Sequence, residues 1–86
     1  MDPQVLQEKQ RQILERTRLG LLKYVSDQGG TSDLGSMHAF SEKTYFIAHQ
    51  SFSRVMEGLV GDGLLAFDHQ AGRATLTETG RGLLNS

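Results

Sequence analysis

Residues 50–77 read QSFSRVMEGLVGDGLLAFDHQAGRATLT, and the spacing within this stretch decides the fold. Phe52, Val55, Met56, Leu59 and Val60 recur at three- and four-residue steps and form one face of a helix. Tyr45 and Ala48 extend the same period backward, so the helix is predicted over residues 44–62. Gly61-Asp62-Gly63 supplies its stop. Residues 64–68 then alternate, with Leu65 and Phe67 on one side. His69-Gln70-Ala71-Gly72 reads as a four-residue turn. Residues 73–77 follow as a second strand with Ala74 and Leu76 on one side, completing a hairpin signal.

Outward from this stretch, residues 78–84 suit a short helix capped by Thr77, with Leu83 and Leu84 packing back on the core. Toward the N-terminus, residues 2–28 read as one long helix. Asp2 is a suitable cap, Pro3 a suitable first helical residue, and Gly29-Gly30 the stop. Its apolar stripe is thin before Ile13 and dense after it, through Leu14, Leu21, Leu22, Tyr24 and Val25. Val5 and Leu6 are isolated, because residues 7–12 are all polar or charged. Either residues 1–12 leave the domain body to pair with a second subunit, or they form a solvated helix end. Residues 29–33 form a turn whose tail can make a very short strand. Ser32 or Asp33 caps a second helix over residues 34–40, carried by Leu34, Met37 and Phe40, and Ser41 caps the next. Phe46 and Ile47 fall off the main apolar stripe and suit an interface.

The chain has 86 residues, enough for one domain with a modest core. It has no cysteine, hence no disulfide or thiolate metal site. A hydrophobic fraction of 37% is low for a self-sufficient domain and favours an oligomer. A net charge of −1 does not advertise nucleic acid, although a near-zero sum can hide a basic face. No apolar run reaches the roughly 18 residues of a membrane-spanning helix. The opening MDPQVLQEKQ has neither the basic nor the apolar region of a signal peptide. The expectation is a soluble, cytoplasmic protein without membrane contact.

Two motifs carry a family resemblance. Ser53-Arg54-Val55-Met56-Glu57-Gly58-Leu59-Val60-Gly61-Asp62-Gly63-Leu64-Leu65 resembles the end of a recognition helix stepping through glycine and leucine into a wing. Ala74-Thr75-Leu76-Thr77-Glu78-Thr79-Gly80-Arg81 is similar to a threonine-rich wing exit running into a glycine-arginine turn. Together they resemble the winged helix-turn-helix family, in its MarR-like and PadR-like prokaryotic forms. The resemblance covers residues 50–84; Gly35 and the extended SEKTYFIAH stretch depart from the family's compact helix-turn. It implies a mainly α domain with a small β-wing (α+β), in the order helix, helix, helix, strand, strand, short helix. It further implies binding of double-stranded DNA by a transcriptional regulator. Such regulators act as dimers on two half-sites, and the first helix and C-terminal segment are the natural elements for a homodimer here.

The residues suit that chemistry. A recognition helix needs small polar and amide side chains for base edges and a guanidinium for guanine. Gln50, Ser51 and Arg54 lie opposite the predicted core face, with Ser53 nearby, and Lys43, Thr44 and His49 extend the face toward the helix start. His69, Gln70 and Arg73 sit at the turn, where the family's wing touches backbone or minor groove. Arg16, Arg18 and Lys23 offer phosphate contacts. The same residues also describe a solvated helix face and a polar loop. Near-neutral charge together with Phe46 and Ile47 suits a different winged-helix module, one that binds protein.

Other chemistry finds little support. His38 and Glu42 are four apart, but three histidines without cysteine or an HExxH pattern predict no metal site. No nucleophile elbow, phosphate loop or dinucleotide fingerprint is present, and the acidic residues are scattered. The expectation is a non-enzyme without a cofactor.

Overall fold

The computed structural model describes residues 3–85. The elements run α1 (Pro3–Asp27), β1 (Thr31–Asp33), α2 (Leu34–Tyr45), α3 (His49–Gly61), β2 (Leu65–Asp68), β3 (Arg73–Leu76) and α4 (Glu78–Leu84). The chain is thus mainly helical with a small antiparallel sheet, an α+β arrangement. The sheet has three strands in the order β1-β3-β2, where the sequence predicted two and left the third as an option in the turn. β1 pairs with β3 through Thr31↔Thr75, Ser32↔Ala74 and Asp33↔Arg73. β2 pairs with β3 from Leu65↔Leu76 to Asp68↔Arg73. A strand of three residues carries almost no periodicity, so its partner decides its state.

α1 buries only its second half. Residues 3–13 are exposed throughout, whereas Thr17, Leu21, Leu22 and Val25 are buried. The expected cap Asp2 lies outside the described residues. The helix ends as expected at the glycine pair. Gly29 takes φ +91°, Gly30 N–H donates to the Val25 carbonyl at 2.9 Å, and Gly29 N–H donates to Ser26 at 3.1 Å. This double bond pattern satisfies carbonyls that the helix end leaves open. The end of α3 repeats it at Gly63 (φ +75°), with Leu64 N–H on Leu59 and Gly63 N–H on Val60. Leu64 and Leu59 are both buried, the apolar contact that accompanies such an end.

The α2–α3 region departs from the prediction. α2 continues to Tyr45, and α3 starts at His49, not at residue 44. Ser41 is no cap: it is fully buried inside α2 and its hydroxyl donates back to the His38 carbonyl at 2.9 Å. Asp33 is the cap of α2, its carboxylate accepting from the Ser36 backbone N–H at 2.9 Å and hydroxyl at 2.7 Å. Both bonds, the hydroxyl's foremost, favour the charged carboxylate and hold the Asp33 pKa below its ordinary value. The break between the helices is Phe46 in the left-handed region, φ 56° and ψ 34°, its N–H donating to Glu42. Ile47 then turns inward. It is 7% exposed and belongs to the core, contrary to its expected place at an interface.

One core holds these elements together: Leu21, Leu22 and Val25 from α1, Met37 from α2, Phe52, Val55, Met56 and Leu59 from α3, with Ile47, Leu64, Leu65, Ala74 and Leu76. Ala48 and Val60, expected on the inner face, are exposed. A second seam joins α1 to α2, where the Tyr24 and Phe40 rings stack at 4.5 Å and Phe40 meets Tyr45 edge-on at 6.0 Å. α4 is capped by Thr77, whose hydroxyl oxygen accepts from Gly80 N–H at 3.0 Å and which reaches the Gly63 carbonyl at 2.6 Å. Gly80 is buried, and a Cβ there would overlap the Leu64 carbonyl. Leu84 packs on the core as expected, but Leu83 is exposed.

Candidate nucleic-acid interface

α3 is amphipathic along its whole length, which fixes what it presents outward. Phe52, Val55, Met56 and Leu59 are buried, so Gln50 and Arg54, on the other side and one turn apart, are exposed. Among the described residues neither makes a side-chain hydrogen bond or ion pair. The N-cap of α3 is Ala48, which has no side chain able to accept from the first-turn N–H groups. Those donors are therefore left to solvent or to an anion.

The remaining predicted residues separate into groups. Lys43 and Thr44 are exposed but stand on the last turn of α2, not on α3. His49 is exposed as the first residue of α3, with Ser51 and Ser53 half-buried behind it. His49, Ser53 and His69 line one open cleft of about 510 Å³ between α3 and the β2–β3 hairpin, over a floor that includes Phe52, Met56 and Phe67. His49 also borders a second concavity of about 840 Å³ at the α2–α3 corner, shared with His38, Lys43 and Phe46. Gln50, Ser51 and Arg54 line neither. The structure thus joins helix and hairpin residues through His49, Ser53 and His69, and leaves Gln50 and Arg54 on an open helix face.

The hairpin turn is built by its own residues. Asp68 accepts from Gln70 N–H at 3.0 Å and Ala71 N–H at 3.3 Å, and Gly72 (φ +64°) closes the turn onto the Asp68 carbonyl at 2.8 Å. His69 lies edge-on against Phe67 at 4.7 Å. Gln70 and Arg73 are exposed. Arg73 sits in register with Asp33 and Asp68, and its charge helps lower the Asp33 pKa.

Two expected phosphate contacts differ in standing. Arg16 is exposed, but the Arg18 guanidinium is engaged by the Asp62 carboxylate at 2.5 Å. Spacing along the chain could not reveal this pair, which spans 44 residues.

His38 Nδ1 stands 3.9 Å from Glu42, and its ring meets His49 at 5.1 Å and Phe52 at 5.0 Å, both edge-on. Its Nε2 is buried and has no hydrogen-bond partner. Among the described residues no group of three or more His, Cys, Asp or Glu can hold a metal ion, and no helix is long and apolar enough to cross a membrane.

Phe46 is the residue whose position the sequence least suggests. Off-stripe spacing grouped it with Ile47, but it is 87% exposed while its neighbour is buried. No local signal marks it, because phenylalanine is a rare occupant of the left-handed region. No protein-family model matches this chain, and no curated protein or solved structure is significantly similar to it.

Proposed function

We propose that this chain is a winged helix-turn-helix domain that binds double-stranded DNA sequence-specifically, as a transcriptional regulator. The observation that carries this is the outward face of α3, where Gln50 and Arg54 are exposed and unengaged among the described residues. An amide and a guanidinium one helical turn apart match the acceptor and donor pattern of major-groove base edges. The three-stranded sheet beside α3 supports the same reading, since its β2–β3 turn carries the exposed His69, Gln70 and Arg73, side chains that a wing would offer to backbone or minor groove. Lys43, on the last turn of α2 near the uncapped start of α3, supports the reading as a candidate phosphate contact.

One 86-residue domain offers few phosphate contacts, so the active form is a homodimer on two half-sites. Its contacts are the exposed Val5, Leu6 and Ile13 on the projecting turns of α1, with Leu19 and Leu83 beside a shared cleft. The protein-binding alternative needs a contiguous apolar patch around Phe46 and Ile47. Burial of Ile47 leaves Phe46 as the one large apolar side chain exposed there, beside the small Ala39 and Ala48.

Binding-site selection from a random duplex pool, followed by a mobility-shift titration, tests the proposal. A preferred sequence is expected, with affinity falling steeply as salt rises. Arg54→Ala is expected to cost about 1–3 kcal/mol and to relax selection at one base pair. Absence of any shift at low salt overturns the proposal.

A further inference from the structure

Phe46 combines two local features that work against it. Among the described residues it is the one non-glycine with positive φ, the other four being Gly29, Gly30, Gly63 and Gly72. The left-handed region crowds any side chain with a Cβ, and glycine enters it freely. The ends of α1 and α3 use glycine for this role, at Gly29 and Gly63. Phe46 is also 87% exposed, so its ring recovers little from burial. Backbone strain and exposed apolar surface at one residue mark a contact to something outside the domain.

Its surroundings indicate which contact. Phe46 lies two residues before the N-cap Ala48, between the exposed Lys43 and His49, and the three border the same concave corner. If α3 enters the major groove, its first residues approach base edges, and this corner at its start approaches them too. There, hydrogen-bonding groups face outward on every base pair, and the one apolar feature is the thymine C5-methyl. A phenyl ring has no conventional donor or acceptor, so among groove-facing base edges that methyl is its matching feature. The Phe46 N–H bonded to the Glu42 carbonyl at 2.9 Å fixes the backbone, which limits the ordering cost of the contact.

We propose that Phe46 is a base-contacting specificity residue that packs against a thymine methyl of the bound duplex. The proposal rests on the DNA-binding reading above, and its test separates the two. The preferred duplex is selected from a random pool. Each thymine in it is then replaced in turn by deoxyuridine, which removes only the methyl group. Dissociation constants are measured for the wild-type chain and for Phe46→Asn. Asparagine tolerates the left-handed region, so this variant keeps the turn, and its thermal midpoint is expected to equal or exceed that of the wild type. At one thymine, the replacement is expected to weaken wild-type binding about fourfold, the value of burying one methyl group. The same replacement is expected to leave the affinity of Phe46→Asn unchanged.

Wild-type binding that ignores every methyl removal overturns the assignment and returns Phe46 to a protein partner, leaving the DNA reading standing. So does equal methyl sensitivity in wild type and Phe46→Asn. A wild-type chain that binds no duplex overturns the DNA reading and the assignment together.

Discussion

Gly20 of α1 lies directly beneath the Tyr45 ring at the end of α2. A Cβ at Gly20 would overlap the Tyr45 hydroxyl and stand 2.7 Å from Cζ and 2.9 Å from Cε2. Glycine inside a helix costs about 1 kcal/mol relative to alanine, and at this position it leaves room for the Tyr45 ring. Gly20→Ala is therefore expected to displace the end of the half-buried Tyr45 side chain, a cost that offsets the gain of about 1 kcal/mol that alanine brings to a helix interior. In a Tyr45→Ala background the same change is expected to stabilise. Urea denaturation of the four proteins measures how much more the change stabilises in the Tyr45→Ala background, and an equal effect in both backgrounds refutes the close approach.

The Asp33 cap predicts an acid limit to stability. Its folded-state pKa lies below the unfolded value, so the folded state binds the proton less readily. The contribution of Asp33 is then complete above the ordinary carboxylate range of about 4 and is lost as pH falls through the lowered native pKa. Asp33→Asn is expected to flatten the thermal midpoint's dependence on pH across that acid window, with little change in slope near neutrality. Circular dichroism melts of both proteins at stepped pH make the comparison.

Arg18 and Arg54 are expected to behave oppositely. Arg18 is engaged by Asp62 at a partly exposed site, where ion pairs contribute less than about 1 kcal/mol. Arg18→Gln should lower stability within that bound and leave selected-duplex affinity nearly unchanged. Arg54→Gln should leave stability alone and weaken binding. Paired melts and mobility shifts resolve the two, and a larger binding loss at Arg18 would reverse the assignment.

The proposed dimer is expected to be one that can be split without unfolding. Leu6 and Ile13, seven residues apart, are each exposed by 44–45%. Leu6→Asp with Ile13→Asp is expected to give a folded monomer by sedimentation equilibrium, with helical signal retained and affinity lost for a duplex carrying both half-sites. A wild-type chain that already sediments as a monomer at micromolar concentration removes the dimer.

The parts legible in the sequence were those with strong periodicity or glycine at a left-handed position. The hairpin was readable because residues 65–68 alternate and Gly72 closes the turn. The ends of α1 and α3 were readable because Gly29 and Gly63 sit where the chain reverses. The α2–α3 boundary was not. Tyr45, Ala48 and Phe52 keep helical spacing straight across the turn, Phe46 gives no breaker signal, and Ala48 gives no capping signal. Thr44 was accordingly assigned to the wrong helix and Lys43 set just before the start of α3, though both lie in α2, while Gln50 and Arg54, inside the amphipathic run, were placed on the face where they are found. Ile47 shows the same limit from the inside, because a turn residue can be aimed at the core by backbone geometry that no helical period describes.

The central position of β3 has a consequence for synthesis. β1 is paired with β3 alone, and Thr31 reaches Ala74 across 43 residues. During elongation from the N-terminus, the three longer helices can emerge and pack while β1 still lacks a ladder. Its edge stays open until residues 73–76 leave the ribosome. Closure of the sheet is then a late, long-range event that pins the start of α2 through the Gly72 carbonyl on Leu34 N–H. A nascent chain arrested before β3 would carry its helices and an unpaired strand edge, the state in which this small domain is most open to mispairing with a second copy.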